Sequence, residues 1–564
     1  MNLSLGSRFA FFLLIFLFCV IRLPAQEVNC VIQKAPTDPA AQAFARHDYA
    51  KALDLYAAAA KSNPKDMEAI AGQVHSLLEE QNVSAAADVA EKSVASYPKS
   101  AVLATALGEV RFRQGRLSDA MHSYQISLQL DACLPRTRFD AYRLLWIESM
   151  HSSAYVQLQV ANQLEPDDPD IRLAWIEHLP LAARAHDLDG YLNTAKDSAE
   201  DKQEDLKRYA DRLHAILEAK NGGCRLMPST ATTTTLPFKL LMKDANRFYG
   251  VGFDVKINNK AQARLELDTG ASGILLDRGA ARKAGLVPVT SDSIGGLGDA
   301  KDMKGYWAYA DDLRIGTLEF KNCMVEVSDK RSIVDTDGLI GADVFENYHV
   351  QLDFPLRQMT LSPLPARPGK IAVAHASLNA SGVGDAAAAS APQNASTKAT
   401  GETASLPSIH YTDRYVSPEM KSWSPFARFG HQILINGYLK DQQPRLFLLD
   451  SGANISILAT PAAKSVGKIH GDSLDQVTGL NGRVDKIYTA NNVDVIFAGL
   501  RDPFQQVLVM NLDSLDKSDG TDVSGIIGLD TLLMLSIDID YRDGLIHLVY
   551  DPKHGKNVWL GDAR

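Results

Sequence analysis

The chain has 564 residues, enough for three or four domains at roughly 150 residues each. Hydrophobic residues make up 46% and charged residues 22%, which excludes global disorder, a collagen-like fibre and a membrane protein with many spans. Because 58 Lys and Arg face 68 Asp and Glu, the net charge is −10, and no basic excess exists to bind nucleic acid. No metal-binding motif is present, so neither a metal nor another cofactor is expected.

The first 25 residues read as a secretory signal peptide. Arg8 precedes an uninterrupted apolar run from Phe9 to Ile21, which is shorter than the roughly 20 residues needed to span a bilayer. We therefore predict that residues 1–25 are removed on export to the periplasm or the medium, with a bacterial envelope as the expected setting. Leu23 is a poor residue for the third position before the cleavage site, which leaves an uncleaved membrane anchor as the alternative.

Four of the five cysteines remain after removal of that segment: Cys30, Cys133, Cys224 and Cys323. Their spacing fits no metal site. In an oxidising compartment they can form one or two disulfides, and the sequence leaves the pairing open.

Residues 40–220 are rich in Ala, Leu, Gln and Glu and carry a period of 34 residues. Pro64 ends one helical segment, Pro98 follows 34 residues later, and Pro166 stands two further periods along the chain. This period resembles that of tetratricopeptide repeats, which implies an all-α array of stacked helix pairs. Such arrays expose a curved surface that binds a peptide or partner protein, and a helical spacer without a ligand is the alternative.

Beyond Thr235 the chain changes to short alternating apolar and polar runs separated by Gly-containing turns, a pattern typical of all-β structure. One segment interrupts this pattern, because residues 381–405 are 18 of 25 Ala, Ser, Gly or Thr. Such a composition cannot bury enough apolar surface to order itself. We predict a flexible linker at 365–408, which divides the β region into blocks at 236–364 and 409–553.

The two β blocks contain the same four elements in the same order and at similar spacing. An apolar strand runs into Asp-Thr/Ser-Gly-Ala, a Gly-rich segment follows, then an apolar pair flanked by Gly, and finally an Asp-aromatic pair before the last strand. The matched elements are Asp268–Ala271 and Asp450–Ala453, Gly295–Gly298 and Gly479–Gly482, Gly338–Asp343 and Gly525–Asp530, and Asp353-Phe354 and Asp540-Tyr541. One such tripeptide is a weak signal, whereas four ordered elements present twice are specific.

This double pattern resembles the aspartic proteases, specifically the retropepsin-like family, over about 270 residues. The resemblance implies two all-β lobes that hydrolyse a peptide or protein substrate. Asp268 and Asp450 then correspond to the two catalytic carboxylates. Thr269 and Ser451 correspond to the hydroxyl residues that lock the two active-site loops together.

The resemblance also gives roles to glycines in each block. They are Gly270 and Gly452 in the tight turns, Gly341 and Gly528 in the late motif that supports the active-site loop, and Gly295, Gly296, Gly298, Gly479 and Gly482 in the flaps.

Two carboxyls are required because one deprotonates a water while the other protonates the substrate carbonyl oxygen. A close pair cannot ionise fully and shares one proton. Since both lobes lie on one chain, the tether favours pairing within that chain. Two alternatives remain: lobes that pair between chains, and a catalytically inactive binding scaffold, because Ser451 and Asn454 differ from Thr269 and Ser272.

Overall fold

In a computed structural model of the protein, a helical array is followed by two β lobes, so the predicted fold class is confirmed. The structure describes residues 30–32, 38–194, 200–219, 224–227, 233–244, 247–296, 303–330, 336–368, 413–471, 478–479, 482–484 and 486–552. The predicted signal segment, residues 369–408 of the predicted linker, and Gly298 lie outside these ranges. Within them, no helix has the length and apolarity to cross a bilayer.

Eleven helices form the array in the described part of the chain. Most have a short polar side chain as the N-terminal cap. Asp66 and Asn82, for example, each accept a hydrogen bond from the backbone N–H of the residue three positions later. The helices are α1 (Pro39–Ala45), α2 (Tyr49–Ser62), α3 (Met67–Glu79), α4 (Val83–Ser96), α5 (Ala101–Arg113), α6 (Leu117–Leu130), α7 (Pro135–Ile147), α8 (His151–Leu164), α9 (Pro169–Glu177), α10 (Leu181–Thr194) and α11 (Glu200–Glu218).

Glycines let adjacent helices approach closely at two places in the array. A Cβ added to Gly72 of α3 would lie 2.5 Å from the Tyr56 ring of the preceding helix, α2. A Cβ added to Gly108 of α5 would lie 2.4 Å from the Tyr124 ring of the following helix, α6. At both places the absence of a side chain lets a tyrosine ring pack directly on the neighbouring helix.

The first lobe is built on a nine-stranded sheet in the order β1-β9-β6-β10-β5-β4-β8-β7, with β3 beside β4. A short helix, α12 (Arg278–Ala284), lies between β6 and β7. The strands are β1 (Arg225–Leu226), β2 (Thr234–Pro237), β3 (Lys239–Asp244), β4 (Arg247–Ile257), β5 (Ala261–Asp268), β6 (Ile274–Leu276), β7 (Pro288–Ile294), β8 (Met303–Ile315), β9 (Leu318–Ser328), β10 (Gly338–Gly341), β11 (His349–Asp353) and β12 (Gln358–Ser362).

The second lobe repeats this plan with strands ordered β17-β20-β21-β16-β22-β15-β14-β13. Its helices are α13 (Thr460–Val466), α14 (Asp513–Asp519) and α15 (Leu529–Leu532). Its strands are β13 (Ser424–Phe429), β14 (Gln432–Tyr438), β15 (Pro444–Leu449), β16 (Ile457–Ala459), β17 (Ile469–His470), β18 (Thr478–Gly479), β19 (Gly482–Arg483), β20 (Tyr488–Phe497), β21 (Leu500–Met510), β22 (Val523–Ile527), β23 (Leu535–Asp540) and β24 (Leu545–Tyr550).

A shared sheet joins the two lobes. The strands β13, β24 and β23 of the second lobe continue into β11, β12 and β2 of the first. At the junction, β11 and β23 pair antiparallel with Val350 opposite Ile539. Because these hydrogen bonds form within one chain, the lobes are held against each other without a partner molecule.

The array packs directly on both lobes. The Thr521 hydroxyl donates to the carbonyl of Phe112 (2.6 Å), and the Asp522 N–H donates to that of Arg113 (2.8 Å). At the other end of the array, the Arg212 guanidinium of α11 lies 5.0 Å from the centre of the Trp307 ring on β8. One cluster of buried apolar side chains runs from α5, α6 and α7 into both lobes.

Two disulfides join distant parts of the chain. Cys30 is bonded to Cys133, and Cys224 to Cys323. The first ties the start of the array to the turn between α6 and α7. The second ties the segment after α11 to β9, so it fixes the connection between the array and the first lobe.

Candidate active site

The two Asp loops follow equivalent strands of the two lobes. The strand β5 ends at Asp268, and β15 ends one residue before Asp450. In the first lobe β10 lies between β5, to which it is parallel, and β6, and this register places Gly341 opposite Asp268. In the second lobe β22 lies in the same way between β15 and β16.

Reciprocal hydrogen bonds join the two loops. The Thr269 hydroxyl donates to the carbonyl of Leu449 (2.8 Å) and accepts from the N–H of Ser451 (2.9 Å). The Ser451 hydroxyl donates to the carbonyl of Leu267 (2.8 Å) and accepts from the N–H of Thr269 (3.1 Å). Both hydroxyl residues are buried, so each bond satisfies a group that water cannot reach.

This lock brings the two carboxyls together. Asp268 and Asp450 are half-buried and close enough for each to affect the protonation of the other. Asp268 Oδ1 accepts from the N–H of Gly270 (2.8 Å). Asp450 Oδ1 accepts from the N–H groups of Gly452 (2.8 Å) and Ala453 (3.2 Å).

The surroundings of the two carboxyls are not equal. Burial, the Asp450 carboxyl and the nearby Glu266 raise the pKa of Asp268 well above its usual range. Burial also raises the pKa of Asp450, but hydrogen bonds from Asp268 and from two backbone N–H groups act in the opposite direction. Two backbone N–H groups at Asp450, against one at Asp268, favour the proton on Asp268 and the negative charge on Asp450.

The residue that packs against each carboxyl must be glycine, because there is no space for a side chain. A Cβ on Gly270 would lie 2.9 Å from Asp450 Cγ, and a Cβ on Gly452 would lie 2.5 Å from Asp268 Cγ. Each loop thus presses its glycine against the carboxyl of the other lobe. A side chain there would push the pair apart.

A second aspartate in each lobe accepts hydrogen bonds from the segment that follows Asp268 or Asp450. Asp343 accepts from the N–H of Gly273 (3.0 Å), and burial raises the pKa of Asp343 to about 6. Asp530 accepts from both the N–H (2.9 Å) and the hydroxyl (2.7 Å) of Ser456. The sequence pattern contained both aspartates, but it gave them no role.

The predicted flap glycines lie at hairpins. Gly295 and Gly296 follow β7 directly, in the connection to β8, and Gly298 lies outside the described residues. Gly479 and Gly482 face each other in the small hairpin of β18 and β19. Their role as flaps stays a prediction.

Two ionisable residues near the pair were not predicted as site residues. Glu266 is buried in β5, two positions before Asp268, where a strand directs both side chains to the same face. Leu448 occupies the matching position before Asp450. Glu266 could have been noticed in the sequence, because it is an acidic residue among the apolar residues of a strand. His431, which reaches the Gly270 loop, carries no signal of that kind.

The two β lobes and their paired Asp loops resemble the aspartic proteinase fold. Two segments, residues 253–344 and 432–531, match the aspartyl protease family. Each lobe therefore carries the family pattern separately, as the retropepsin-like resemblance predicts. Among curated proteins, no match was found.

Solved structures resemble the two parts of the chain separately. The aspartic proteinase of Irpex lacteus is 10% identical, with 57% of this chain and 98% of that chain covered and a TM-score of 0.30. The helical array is similar to a tetratricopeptide repeat protein of Thermus thermophilus (22% identity, 31% and 95% covered, TM-score 0.26) and to MamA of Desulfovibrio magneticus (19%, 22% and 71%, 0.19). Likenesses this distant identify neither a substrate nor a ligand.

Proposed function

We propose that the protein is an aspartic endopeptidase whose catalytic pair is Asp268 and Asp450. The observation that carries this proposal is the close approach of the two Asp loops: each loop glycine packs against the carboxyl of the other lobe, and the reciprocal bonds of Thr269 and Ser451 hold the loops together. A shared proton makes one carboxyl an acid and the other a base, which is the combination that peptide hydrolysis needs.

In the proposed reaction, a water lies between the two carboxyls and the substrate carbonyl. The Asp450 carboxylate takes a proton from this water, whose oxygen forms a bond to the carbonyl carbon. Asp268 gives its proton to the carbonyl oxygen. The tetrahedral intermediate then loses its C–N bond as the nitrogen is protonated by Asp450, and Asp268 recovers its proton from the hydroxyl as the new carboxyl forms. No cofactor takes part.

The geometry favours this proposal over both alternatives. Pairing of lobes between chains is disfavoured because β11 and β23 already pair within one chain. A scaffold without catalysis has no need for two carboxyls that share a proton in a half-buried position, since such a pair costs stability. Ser451 keeps the hydroxyl that the lock requires, so the difference from Thr269 does not weaken it.

We further propose that the helical array binds a protein substrate or partner, as curved repeat arrays do. The two disulfides favour an oxidising compartment. Together with the N-terminal apolar segment, they support export to the periplasm or the medium. Contact with a membrane is expected only if that segment is retained.

The test is digestion of a peptide library across the pH range by the wild-type protein and by Asp268→Asn and Asp450→Asn. Each variant should lose at least about a thousandfold in rate, and the double variant should fall little further, because the pair acts as one unit. Asp311→Asn, at an exposed position on β8, is the matched control and should retain wild-type activity. Full activity of either single variant, or cleavage sites unchanged in the double variant, would contradict the shared pair.

A further inference from the structure

A histidine outside both Asp loops contacts the loop that follows Asp268. His431 stands in the turn between β13 and β14 of the second lobe, and its Nε2 lies 2.8 Å from the carbonyl oxygen of Gly270 in the first lobe. A carbonyl oxygen only accepts hydrogen bonds, so Nε2 carries the hydrogen. The contact therefore crosses the lobe interface and fixes the tautomer of the imidazole.

Gly270, whose carbonyl His431 binds, is in contact with both carboxyls. Its N–H donates to Asp268 Oδ1 (2.8 Å), and a Cβ at this position would be 2.9 Å from Asp450 Cγ. Movement of Gly270 would therefore change the hydrogen bonding of Asp268 and the packing against Asp450 together.

The turn that carries His431 is itself held in place. Phe429 is buried and packs on Phe112 of α5, with ring centres 6.3 Å apart. The guanidinium of Arg143 on α7 lies 5.0 Å from the centre of the Phe112 ring. The turn is therefore supported from the array side, so the imidazole presents its N–H from a fixed position rather than from a mobile loop.

The charges that face the imidazole are Arg428 on β13 and the Asp450 carboxyl. Arg428 in turn pairs with Glu346 (2.6 Å) and lies near Asp343. Burial and Arg428 lower the pKa of His431, against the opposing effects of the Gly270 carbonyl and Asp450. Since Nε2 carries hydrogen in the neutral tautomer and in the cation alike, the bond to Gly270 persists in both.

We propose that His431 is a positioning residue of the Asp268–Asp450 pair, which holds Gly270 in place by a hydrogen bond to its carbonyl from the opposite lobe. This inference rests on the proposed endopeptidase function. It adds a contact from a residue that lies outside both Asp-Thr/Ser-Gly-Ala motifs.

The test compares His431→Gln, which keeps an N–H donor at nearly the Nε2 position, with His431→Leu, which removes it at similar volume. We expect His431→Leu to lower kcat by about tenfold or more with little change in KM, because a small displacement of catalytic groups affects mainly the chemical step. His431→Gln should stay within about threefold of wild type. His122→Leu, at an exposed position on α6, is the control.

A second readout does not depend on hydrolysis. In protein labelled with ¹⁵N at histidine, the imidazole signal that His431→Gln removes should show the tautomer with hydrogen on Nε2. If it shows hydrogen on Nδ1, or if His431→Leu has the wild-type kcat, the proposal is wrong. If the wild type cleaves no peptide but the Nε2–H signal is present, the endopeptidase proposal fails while the hydrogen bond to Gly270 stands. Should His431→Leu not fold, His431→Asn, whose shorter side chain cannot reach Gly270, replaces it under the same criteria.

Discussion

At the scale of single residues, the site depends on hydroxyl groups more than on the exact residue that carries them. Thr269 and Ser451 occupy equivalent positions in the two lobes and make the same pair of bonds with exchanged partners. The extra methyl group of Thr269 has no counterpart in Ser451. The reciprocal bonds therefore need a hydroxyl group at each position, and either Thr or Ser supplies it.

We predict that Ser451→Ala lowers the free energy of unfolding by about 1–3 kcal/mol, because it leaves the carbonyl of Leu267 and the N–H of Thr269 buried without a partner. Ser451→Thr should stay close to wild type, since the first lobe already uses Thr. Chemical denaturation of the two variants measures the difference. Equal stability of Ser451→Ala and Ser451→Thr would show that the bonds contribute nothing.

At the scale of secondary structure elements, each Asp loop is supported by a short strand between two others. β10 separates β5 from β6, and β22 separates β15 from β16. Gly341, the last residue of β10, donates its N–H to the carbonyl of Gly273 (2.8 Å). The strand therefore fixes the loop after Asp268 by backbone contacts that a side chain would obstruct.

We predict that Gly341→Ala disturbs this support, because its Cβ would lie 2.4 Å from the carbonyl oxygen of Ala271. The variant should lose most peptidase activity and at least about 1 kcal/mol of stability, as overpacked sites do. Gly467→Ala is the matched control, since an added Cβ there meets nothing within 4 Å and the backbone is extended. Peptide hydrolysis and thermal melting distinguish the two, and wild-type behaviour of Gly341→Ala would contradict the close contact.

At the scale of the whole molecule, the array and the second lobe meet at a cluster of acids. Asp516, Asp519 and Asp522 lie in and after α14, next to the contact of Asp522 with α5. Burial raises the pKa of Asp516 to about 7 and that of Asp519 and Asp522 to about 6, while Arg113 lowers that of Asp522. The folded protein therefore binds protons here more strongly than the unfolded chain.

Because these pKa values are raised on folding, their contribution to stability is complete below about pH 4 and is lost as the pH rises through about 6 to 7. We predict that Asp516→Asn, Asp519→Asn and Asp522→Asn combined reduce the fall in melting temperature between pH 4 and pH 7 relative to wild type. Asn at position 516 keeps the acceptor for the N–H of Val523. Asp311→Asn should leave the pH dependence unchanged, and an unchanged slope in the triple variant would contradict the raised pKa values.

The sequence by itself determined the order of the parts and named the residues that are proposed for the site. A 34-residue period predicts stacked helix pairs, and the duplicated Asp-Thr/Ser-Gly-Ala pattern predicts two related lobes, because both signals are local and repeat along the chain. The two aspartates and their neighbouring hydroxyl residues are part of that local pattern, so they could be named in advance. The roles of Asp343 and Asp530 could not be predicted from the sequence, because their hydrogen-bond partners lie about 70 residues away in the chain.

Only the tertiary structure decided how these parts meet. The cysteine pairing, the shared sheet through β11 and β23, and the packing of the array on both lobes join residues far apart in the chain. His431 is the clearest case, because its partner Gly270 lies 161 positions away. No local pattern marks such a contact, since it exists only once two lobes have folded and closed on each other.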